Sequence, residues 1–334
     1  MCLDDREADA VERGFSGGEL LKDFHAEARL LHHAADPANL AFDAIQAGDE
    51  CLLLGSVQHK AVYAAHELGV SMAIRWSYVR IYDQGSGPPI VVIPGVQGRF
   101  EWFTPAFAAL RSSCRTISYS LAGDLGSGRR LDPKLGFENY LQQLDEVFEK
   151  AGLKQATVCG ISYGGLIALR YAASRPRRVS ALILASSPGP GWTPDAIQAG
   201  YIAHPWRKTL SFVATAPGRV WPEVQEARGP AKALSFLARH GLRAATAPMI
   251  PGLMAARIVE SQRIDFSADC CAVHCPTLVV SGEPHLDRIV PVESTRRYVE
   301  MIPGAKYVMV EKTGHLGMVT RPADWAAAVA PFVR

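Results

Sequence analysis

The sequence predicts an α/β fold, in which a mostly parallel central sheet carries helices on both faces. Short apolar strands alternate with helical patterns across residues 72–187 and again across residues 269–334. Residues 188–268 lack the strand pattern and combine helical spacing with proline, glycine and tryptophan, which predicts a helical cap inserted into the sheet domain. Apolar side chains also recur at helical spacing within residues 1–71, so a helical N-terminal extension is expected before the sheet.

Each predicted strand is a short apolar run, and the runs fall at residues 78–82, 90–93, 116–119, 156–159, 181–185, 277–282 and 307–310. Helical patterns fill the intervals, notably at residues 137–151 and 166–173. Alternation of this kind indicates a largely parallel sheet that helices cover on both faces.

A Gly-x-Ser-x-Gly motif occupies residues 160–164, between the fourth predicted strand and the helix predicted at 166–173. In this context the motif indicates a nucleophile elbow, a turn so sharp that Ser162 adopts strained backbone angles and exposes its hydroxyl. A Cβ atom two residues before or after the serine would collide with the neighbouring strand or helix, which explains the glycines. The N-terminus of the following helix also favours developing negative charge. A glycine-rich turn is the alternative, but the flanking strand and helix favour catalysis.

A serine at this turn becomes a nucleophile only when a base accepts its proton and an acid orients that base. The expected order along the chain is Ser, then Asp or Glu, then His. His315 follows the last predicted strand, on a loop from which its imidazole could reach Ser162. Asp287 and Glu283 both follow the sixth predicted strand. We favour Asp287 as the acid, while Glu283 stays open as its rival.

Together these motifs resemble the α/β-hydrolase superfamily, and in particular its capped branch of small-molecule esterases and related serine hydrolases. The resemblance covers residues 72–334. In that family the acid commonly comes three residues after the glycine that ends its strand, where this chain has His285. Asp287 instead retains the Ile-Val-Pro sequence that follows the acid, so we infer a two-residue insertion.

Residues 90–98 resemble the third strand and the oxyanion loop of the family. The resemblance implies an oxyanion hole formed by two backbone N–H groups, one from Tyr163 after the nucleophile and one from Val96 in the loop. Gly95 would allow this loop to approach the substrate closely. Pro94 replaces the histidine that many relatives carry, which leaves the loop geometry open, and a simple Pro-Gly turn is the alternative.

The composition is that of a globular protein, with 48% apolar and 20% charged residues in a chain of 334. A net charge of +2 argues against a dedicated nucleic-acid-binding protein, which would cluster Lys and Arg. No run approaches the ~18 apolar residues of a membrane span, and residues 1–7 are acidic and polar, unlike a secretory signal. A cytoplasmic enzyme acting on a small-molecule substrate is therefore expected.

Seven cysteines form no repeating framework, so reduced thiols are expected rather than disulfides. Cys270, Cys271, His274 and Cys275 form a cluster that invites a metal site, but it lacks the paired C-x-x-C spacing of structural zinc. Small buried side chains are the favoured interpretation. Residues 123–128 do not match a dinucleotide fingerprint, and no Gly-Lys-Ser/Thr phosphate loop occurs, so we expect neither a metal nor an organic cofactor.

The predicted cap is rich in aromatic side chains, of which Trp192, Trp206 and Trp221 are candidate substrate-binding residues together with Gly95. Packing within the cap would explain most of these side chains equally well. The cap holds no Arg or Lys cluster that would indicate a phosphate-bearing substrate, which favours an uncharged or weakly polar ester, lactone or ketone. The N-terminal extension could pack on the core, cover the active site or mediate homo-oligomerisation, and packing is the favoured role.

These expectations combine into a serine hydrolase acting on a small, largely apolar carboxylic ester, thioester or lactone through an acyl-enzyme. Ser162 attacks the carbonyl, His315 accepts its proton and Asp287 orients the imidazole. Serine at the elbow disfavours the related dehalogenases and epoxide hydrolases, which use Asp there. Three alternatives stay open: a carbon–carbon bond hydrolase of a diketone, a cofactor-independent perhydrolase, and a binding protein that keeps the fold without turnover.

Overall fold

Seven strands form one sheet within residues 79–334, the part of the chain that the computed structural model describes. They are β1 (Ile81–Gln84), β2 (Pro89–Ile93), β3 (Arg115–Tyr119), β4 (Ala156–Ile161), β5 (Val179–Ala185), β6 (Thr277–Ser281) and β7 (Lys306–Met309). Their order in the sheet is β1-β3-β2-β4-β5-β6-β7, and β1 alone runs antiparallel to its neighbour. The predicted mostly parallel sheet is therefore confirmed. The extension predicted over residues 1–71 lies outside the described residues, as does any part it plays in homo-oligomerisation.

Eleven α-helices accompany these strands in the described part of the chain: α1 (Thr104–Leu110), α2 (Glu138–Lys150), α3 (Tyr163–Ser174), α4 (Ala196–Ala203), α5 (Thr209–Arg228), α6 (Pro230–Thr246), α7 (Pro251–Ser261), α8 (Phe266–Ala272), α9 (Val292–Met301), α10 (Gly317–Thr320) and α11 (Pro322–Val329). Helices α4 to α8 lie between β5 and β6, where the cap is predicted. None of the described helices is long and apolar enough to cross a lipid bilayer.

Alternate residues of the central strands face two hydrophobic cores, one on each side of the sheet. Along β2, Val91 and Ile93 belong to the core that helices α2 and α3 cover, whereas Ile90 and Val92 belong to the core beneath α1 and α11. Burial on both faces explains why these strands are almost continuously apolar in the sequence.

One strand is displaced from its predicted position. The apolar pattern predicts a strand at residues 78–82, whereas β1 spans Ile81–Gln84. The reason is pairing: β1 lies at the edge of the sheet, and its ladder runs from Ile81 opposite Tyr119 to Gln84 opposite Thr116. The position of the partner strand therefore sets the bounds of β1, which the apolar pattern of its own residues cannot reveal.

Residues 188–268, which we call the cap segment, bury few of their own side chains. Helix α5 buries only Glu223 and Val224, and helix α6 buries only Ala233 and Phe236. A carboxylate among so few buried side chains is unusual, because ionisable groups are buried almost only when they are paired or hydrogen-bonded. Glu223 meets this requirement, because its carboxylate accepts hydrogen bonds from Leu316 and Thr320.

Candidate active site

Ser162 occupies the turn between β4 and α3. Its φ of 53° and ψ of −122° lie in a region that costs a non-glycine residue about 1–3 kcal/mol. Close neighbours explain the glycines: a Cβ on Gly160 would lie 2.3 Å from the carbonyl oxygen of Gly164, and one on Gly164 would lie 2.5 Å from that of Ile93. The N–H of Ser162 donates to the carbonyl of Ala185 at 2.8 Å, which ties the turn to β5. The motif therefore forms a sharp strand–helix turn of the predicted kind.

The structure brings His315 and Asp287 to this serine. The Nε2 atom of His315 lies 3.1 Å from Ser162 Oγ, and its Nδ1 atom lies 3.0 Å from Asp287 Oδ2. His315 follows β7, Asp287 follows β6 and Ser162 follows β4, so all three lie where parallel strands of one sheet end. Both the imidazole and its carboxylate partner are buried. This arrangement can move a proton from the serine hydroxyl to the imidazole.

The loop after β6 presents Asp287, rather than Glu283, to the imidazole. Asp287 Oδ1 accepts hydrogen bonds from the backbone N–H groups of Ile289 and Val290, both at 3.0 Å, and this leaves Oδ2 for the imidazole. Glu283 points elsewhere, since its Oε1 accepts the backbone N–H of Lys312 at 2.7 Å. The short turn 287–290 thus orients the aspartate through its own amides.

The surroundings of His315 make its imidazole a stronger base than usual. Burial alone would lower the pKa of His315, because it disfavours the charged form. The charge of Asp287 and its hydrogen bond, together with the charge of Glu223, outweigh this effect and raise the pKa above its ordinary value. The same negative charges would stabilise the imidazolium that forms when the serine attacks a carbonyl and loses its proton to His315.

The loop after β2 packs directly against the elbow. A Cβ on Gly95 would lie 3.5 Å from the Cβ of Ser162, so this residue is in close contact with the serine. The N–H of Gly98 donates to the carbonyl of Gly95 at 2.9 Å, which closes the loop as a tight turn around Val96. Tyr163 is the first residue of α3, where helix N–H groups have no partner within the helix. The predicted oxyanion donors therefore belong to two segments that the structure brings together.

A comparison with known families agrees with the observed fold. Residues 88–322 match a family model whose description is "alpha/beta hydrolase fold". The chain belongs to the alpha/beta hydrolase family. The prediction that the chain is a hydrolase is confirmed at the level of the family.

Several proteins similar to this hydrolase have names that state the compound they hydrolyse. The chain is 27% identical over 264 residues to the "Putative carbamate hydrolase RutD" of Klebsiella pneumoniae, across 74% of this chain and 95% of that one. It is 25% identical over 262 residues to the 2-hydroxy-6-oxo-2,4-heptadienoate hydrolase of Pseudomonas putida, across 76% of this chain and 91% of that one. The solved enol-lactonase of Burkholderia xenovorans has a TM-score of 0.63 and 20% identity, across 76% of this chain and 95% of that chain, and shares the fold.

Behind the loop that follows β2, this hydrolase contains a buried polar cluster that the sequence did not reveal. Arg257, on α7, is 1% exposed and donates from Nη1 to the carbonyl of Val96 at 2.8 Å. The same guanidinium pairs with the buried carboxylate of Asp124 and donates to the carbonyl of Ala122 and the hydroxyl of Tyr140. Burial raises the pKa of Asp124, although the charge of Arg257 opposes the shift. Arg257 thus anchors the carbonyl side of the predicted oxyanion residue.

The three candidate tryptophans of the hydrolase occupy different environments. Trp192 is half-buried and lines a cavity of about 200 Å³ together with Pro188 and Leu166, which lies on α3 four residues after the elbow serine. Trp206 is 43% exposed and packs its indole against Gly252 of α7, and Trp221 is 37% exposed. The structure gives no contact between these side chains and the serine, so their role in substrate binding stays a prediction.

The cysteine cluster does not form a shared site in the described part of the chain. Cys270 is buried on α8, Cys271 on the same helix is exposed, and Cys275 is partly buried. Burial raises the pKa of the Cys270 thiol to about 12, with the neighbouring Asp269 adding to the shift. Within residues 79–334, no three metal-ligating side chains converge. The buried thiol fits the predicted packing role.

Proposed function

We propose that the chain is a serine hydrolase that cleaves small, largely apolar carboxylic esters, thioesters or lactones through an acyl-enzyme. The observation that carries the proposal is the chain of contacts from Ser162 Oγ through His315 to Asp287, at 3.1 and 3.0 Å, on a strained strand–helix turn. These groups suit acyl transfer because each supplies one of the roles that a serine nucleophile needs.

In the first half of the reaction, Ser162 Oγ bonds to the carbonyl carbon while its proton passes to Nε2 of His315. The carbonyl oxygen becomes an oxyanion, and the N–H groups of Tyr163 and Val96 donate to it. The imidazolium, stabilised by Asp287, then gives its proton to the leaving group as the bond to that group breaks. In the second half, water loses a proton to His315 and attacks the acyl-enzyme, and the acid product leaves as Ser162 regains its proton.

An uncharged substrate is supported by the state of the arginines around the oxyanion loop. Arg99 follows the loop and is paired with Glu101 at 2.6 Å, and Arg257 is paired with Asp124. A carboxylate-bearing substrate would need a cation that is not already neutralised in this way. We further propose a cytoplasmic enzyme, since the cysteines of residues 79–334 are all unpaired, as in a reducing compartment.

A second candidate is a carbon–carbon bond hydrolase of a diketone, which the similarity to the Pseudomonas putida enzyme favours. That reaction would use the same serine and histidine on a ketone carbonyl, with a carbanion rather than an alcohol as the leaving group. The name of that relative describes an anionic substrate, whereas Arg99 and Arg257, beside the loop after β2, are each paired with a carboxylate of this chain. We therefore rank it below ester and lactone hydrolysis.

A substrate panel would test the proposal. It would contain p-nitrophenyl esters of short and medium acyl chains, a γ-lactone, an alkyl carbamate and a 2-hydroxy-6-oxo-dienoate. Ser162→Ala should lower turnover of the preferred ester or lactone by about 10³–10⁶-fold, whereas Ser235→Ala, at an exposed position of α6, should leave it unchanged. Near-native turnover by Ser162→Ala would refute the proposal, and cleavage of the dienoate alone would transfer it to the second candidate.

A further inference from the structure

A buried carboxylate of the cap segment contacts the loop that carries His315. Glu223 on α5 is 2% exposed, and it is one of only two buried residues of that helix. Its Oε1 and Oε2 atoms lie 3.1 and 3.0 Å from the backbone nitrogen of Leu316, whose N–H donates to them. Oε1 also accepts the hydroxyl of Thr320 at 2.8 Å. Leu316 directly follows His315 in the sequence, and Thr320 ends α10, so Glu223 holds both ends of this short segment.

Glu223 supplies an acceptor that the local backbone lacks. The first N–H groups of a helix have no partner within the helix, and Leu316, at the N-cap of α10, has no side-chain oxygen to accept one. A carboxylate is favoured at this place, because N–H dipoles point toward it. Arg228, also on α5, donates from Nη2 to the carbonyl of Val319 at 3.3 Å. Two charged side chains of α5 therefore form hydrogen bonds with the backbone that follows His315.

The charge of Glu223 also acts on the imidazole of His315. Burial raises the pKa of Glu223, while the hydrogen bonds from Leu316 and Thr320 favour its ionised form. Burial lowers the pKa of His315, but the negative charge of Asp287 raises it, and the charge of Glu223 adds to this effect.

Other charged groups flank the same segment. Arg228 and Arg321 each donate to a backbone carbonyl there, at residues 319 and 311. Neither arginine is within reach of a carboxylate oxygen of Glu223, whose partners in the described residues are backbone and hydroxyl donors. Its negative charge is therefore free to act on His315.

We propose that Glu223 is a positioning residue, through which the cap segment holds the loop of His315 in line with Ser162 and stabilises the protonated imidazole. The inference rests on the proposed function, because His315 acts as a base only in that reaction. It makes the cap more than a cover over the substrate: the helix that would shape the pocket also sets the position of the base. A contact that only stabilised the fold would leave the titration of His315 unchanged.

The test measures the reaction of Ser162 with a small alkyl fluorophosphonate between pH 5 and pH 9, since this reaction needs the neutral imidazole and little contact with the cap. The proteins compared are the wild type, Glu223→Gln, Glu223→Ala and Glu226→Gln. The last is the matched control, because it removes an exposed carboxylate from the same helix. Thermal unfolding of each protein is recorded alongside.

Glu223→Gln keeps the shape but removes the charge, so the midpoint of the acid limb should move down by about half a pH unit. Its plateau rate constant should fall by about tenfold, and that of Glu223→Ala, which also releases the loop, by about a hundredfold. Glu226→Gln should match the wild type in both quantities.

A lower melting temperature with an unchanged pH midpoint, and a plateau within about twofold of the wild type, would overturn the inference, because it would show a purely structural contact. If Glu223→Ala does not fold, the pH midpoint and the plateau rate constant of Glu223→Gln decide the question. A wild type that does not react would overturn the proposed function and the inference with it. A reactive wild type with unaffected Glu223 variants would overturn the inference alone.

Discussion

Replacing Asp287 by asparagine tests how the His315 imidazole is oriented more sharply than removing the Asp287 side chain would. Asp287 Oδ1 is fixed by two N–H donors, from Ile289 and Val290, both at 3.0 Å. In Asp287→Asn these donors would retain the amide oxygen, so the amide NH2 would point at Nδ1 of His315. That nitrogen would have to accept, and the proton of the neutral imidazole would move to Nε2, where it faces Ser162.

The imidazole would then be unable to accept the serine proton without changing its tautomer. We expect Asp287→Asn to lower kcat/KM on the preferred ester by about 10⁴-fold, or about 5 kcal/mol of transition-state stabilisation. The fold should persist, because size and backbone hydrogen bonds are kept. Steady-state rates at pH 7 to 9, together with circular dichroism, would check this.

Glu283→Gln is the matched control for this prediction. It removes a charge from the same loop, but the lost interaction is with the backbone N–H of Lys312 rather than with the imidazole. We expect it to cost about 1 kcal/mol of stability and less than about threefold in rate. Equal and mild losses of kcat/KM in both variants would refute a role for Asp287 in setting the tautomer of His315. A larger loss in Glu283→Gln would assign the role of the acid to Glu283.

Three further predictions follow from buried and exposed side chains. Burial lowers the pKa of His240 on α6 to about 4, whereas the pKa in the unfolded chain is about 6.5. The free energy of unfolding should therefore fall by up to about 3 kcal/mol as the pH drops from about 6.5 to about 4. Thermal unfolding at pH 7 and pH 4.5 should show this loss, and His240→Phe should remove it. Arg257→Met leaves a buried carboxylate unpaired and should cost about 3–5 kcal/mol in urea unfolding, whereas Arg263→Met, at an exposed position, should cost almost nothing. If Trp206 contacts the substrate, Trp206→Ala should change the relative kcat/KM of esters of different acyl chain length by about 1–3 kcal/mol, and an unchanged ranking would refute a role for Trp206 in substrate binding.

The sequence was sufficient to predict those features that depend on local patterns. Continuous apolar runs predicted the central strands because burial on both faces leaves no polar alternation. The strand–helix turn was predicted because the two glycines around Ser162 form a short, recognisable motif between an apolar run and a helical pattern. His315 was predicted from its place after the last strand, because the ends of parallel strands meet at one edge of the sheet.

Long-range polar contacts could not be predicted in this way. The pairs Arg257–Asp124 and Glu223–Leu316 join residues 133 and 93 positions apart, and neither belongs to a repeating pattern. An arginine or glutamate on an amphipathic helix is ordinarily exposed, so its burial becomes visible only when the partner helix or loop is in place. The sequence favoured Asp287 over Glu283 because of the Ile-Val-Pro sequence that follows Asp287. What it could not specify is the direction of each side chain in their shared loop, which the structure shows.

The most direct test of the account is the chemical identity of the nucleophile. The wild-type protein, Ser162→Ala and His315→Ala would each be treated with a fluorophosphonate, and the adduct would be located by peptide mass spectrometry. We predict one adduct per chain, on Ser162, with no adduct in Ser162→Ala and a labelling rate lower by about 10³-fold or more in His315→Ala. An adduct on another residue, or equal labelling of wild type and Ser162→Ala, would contradict it.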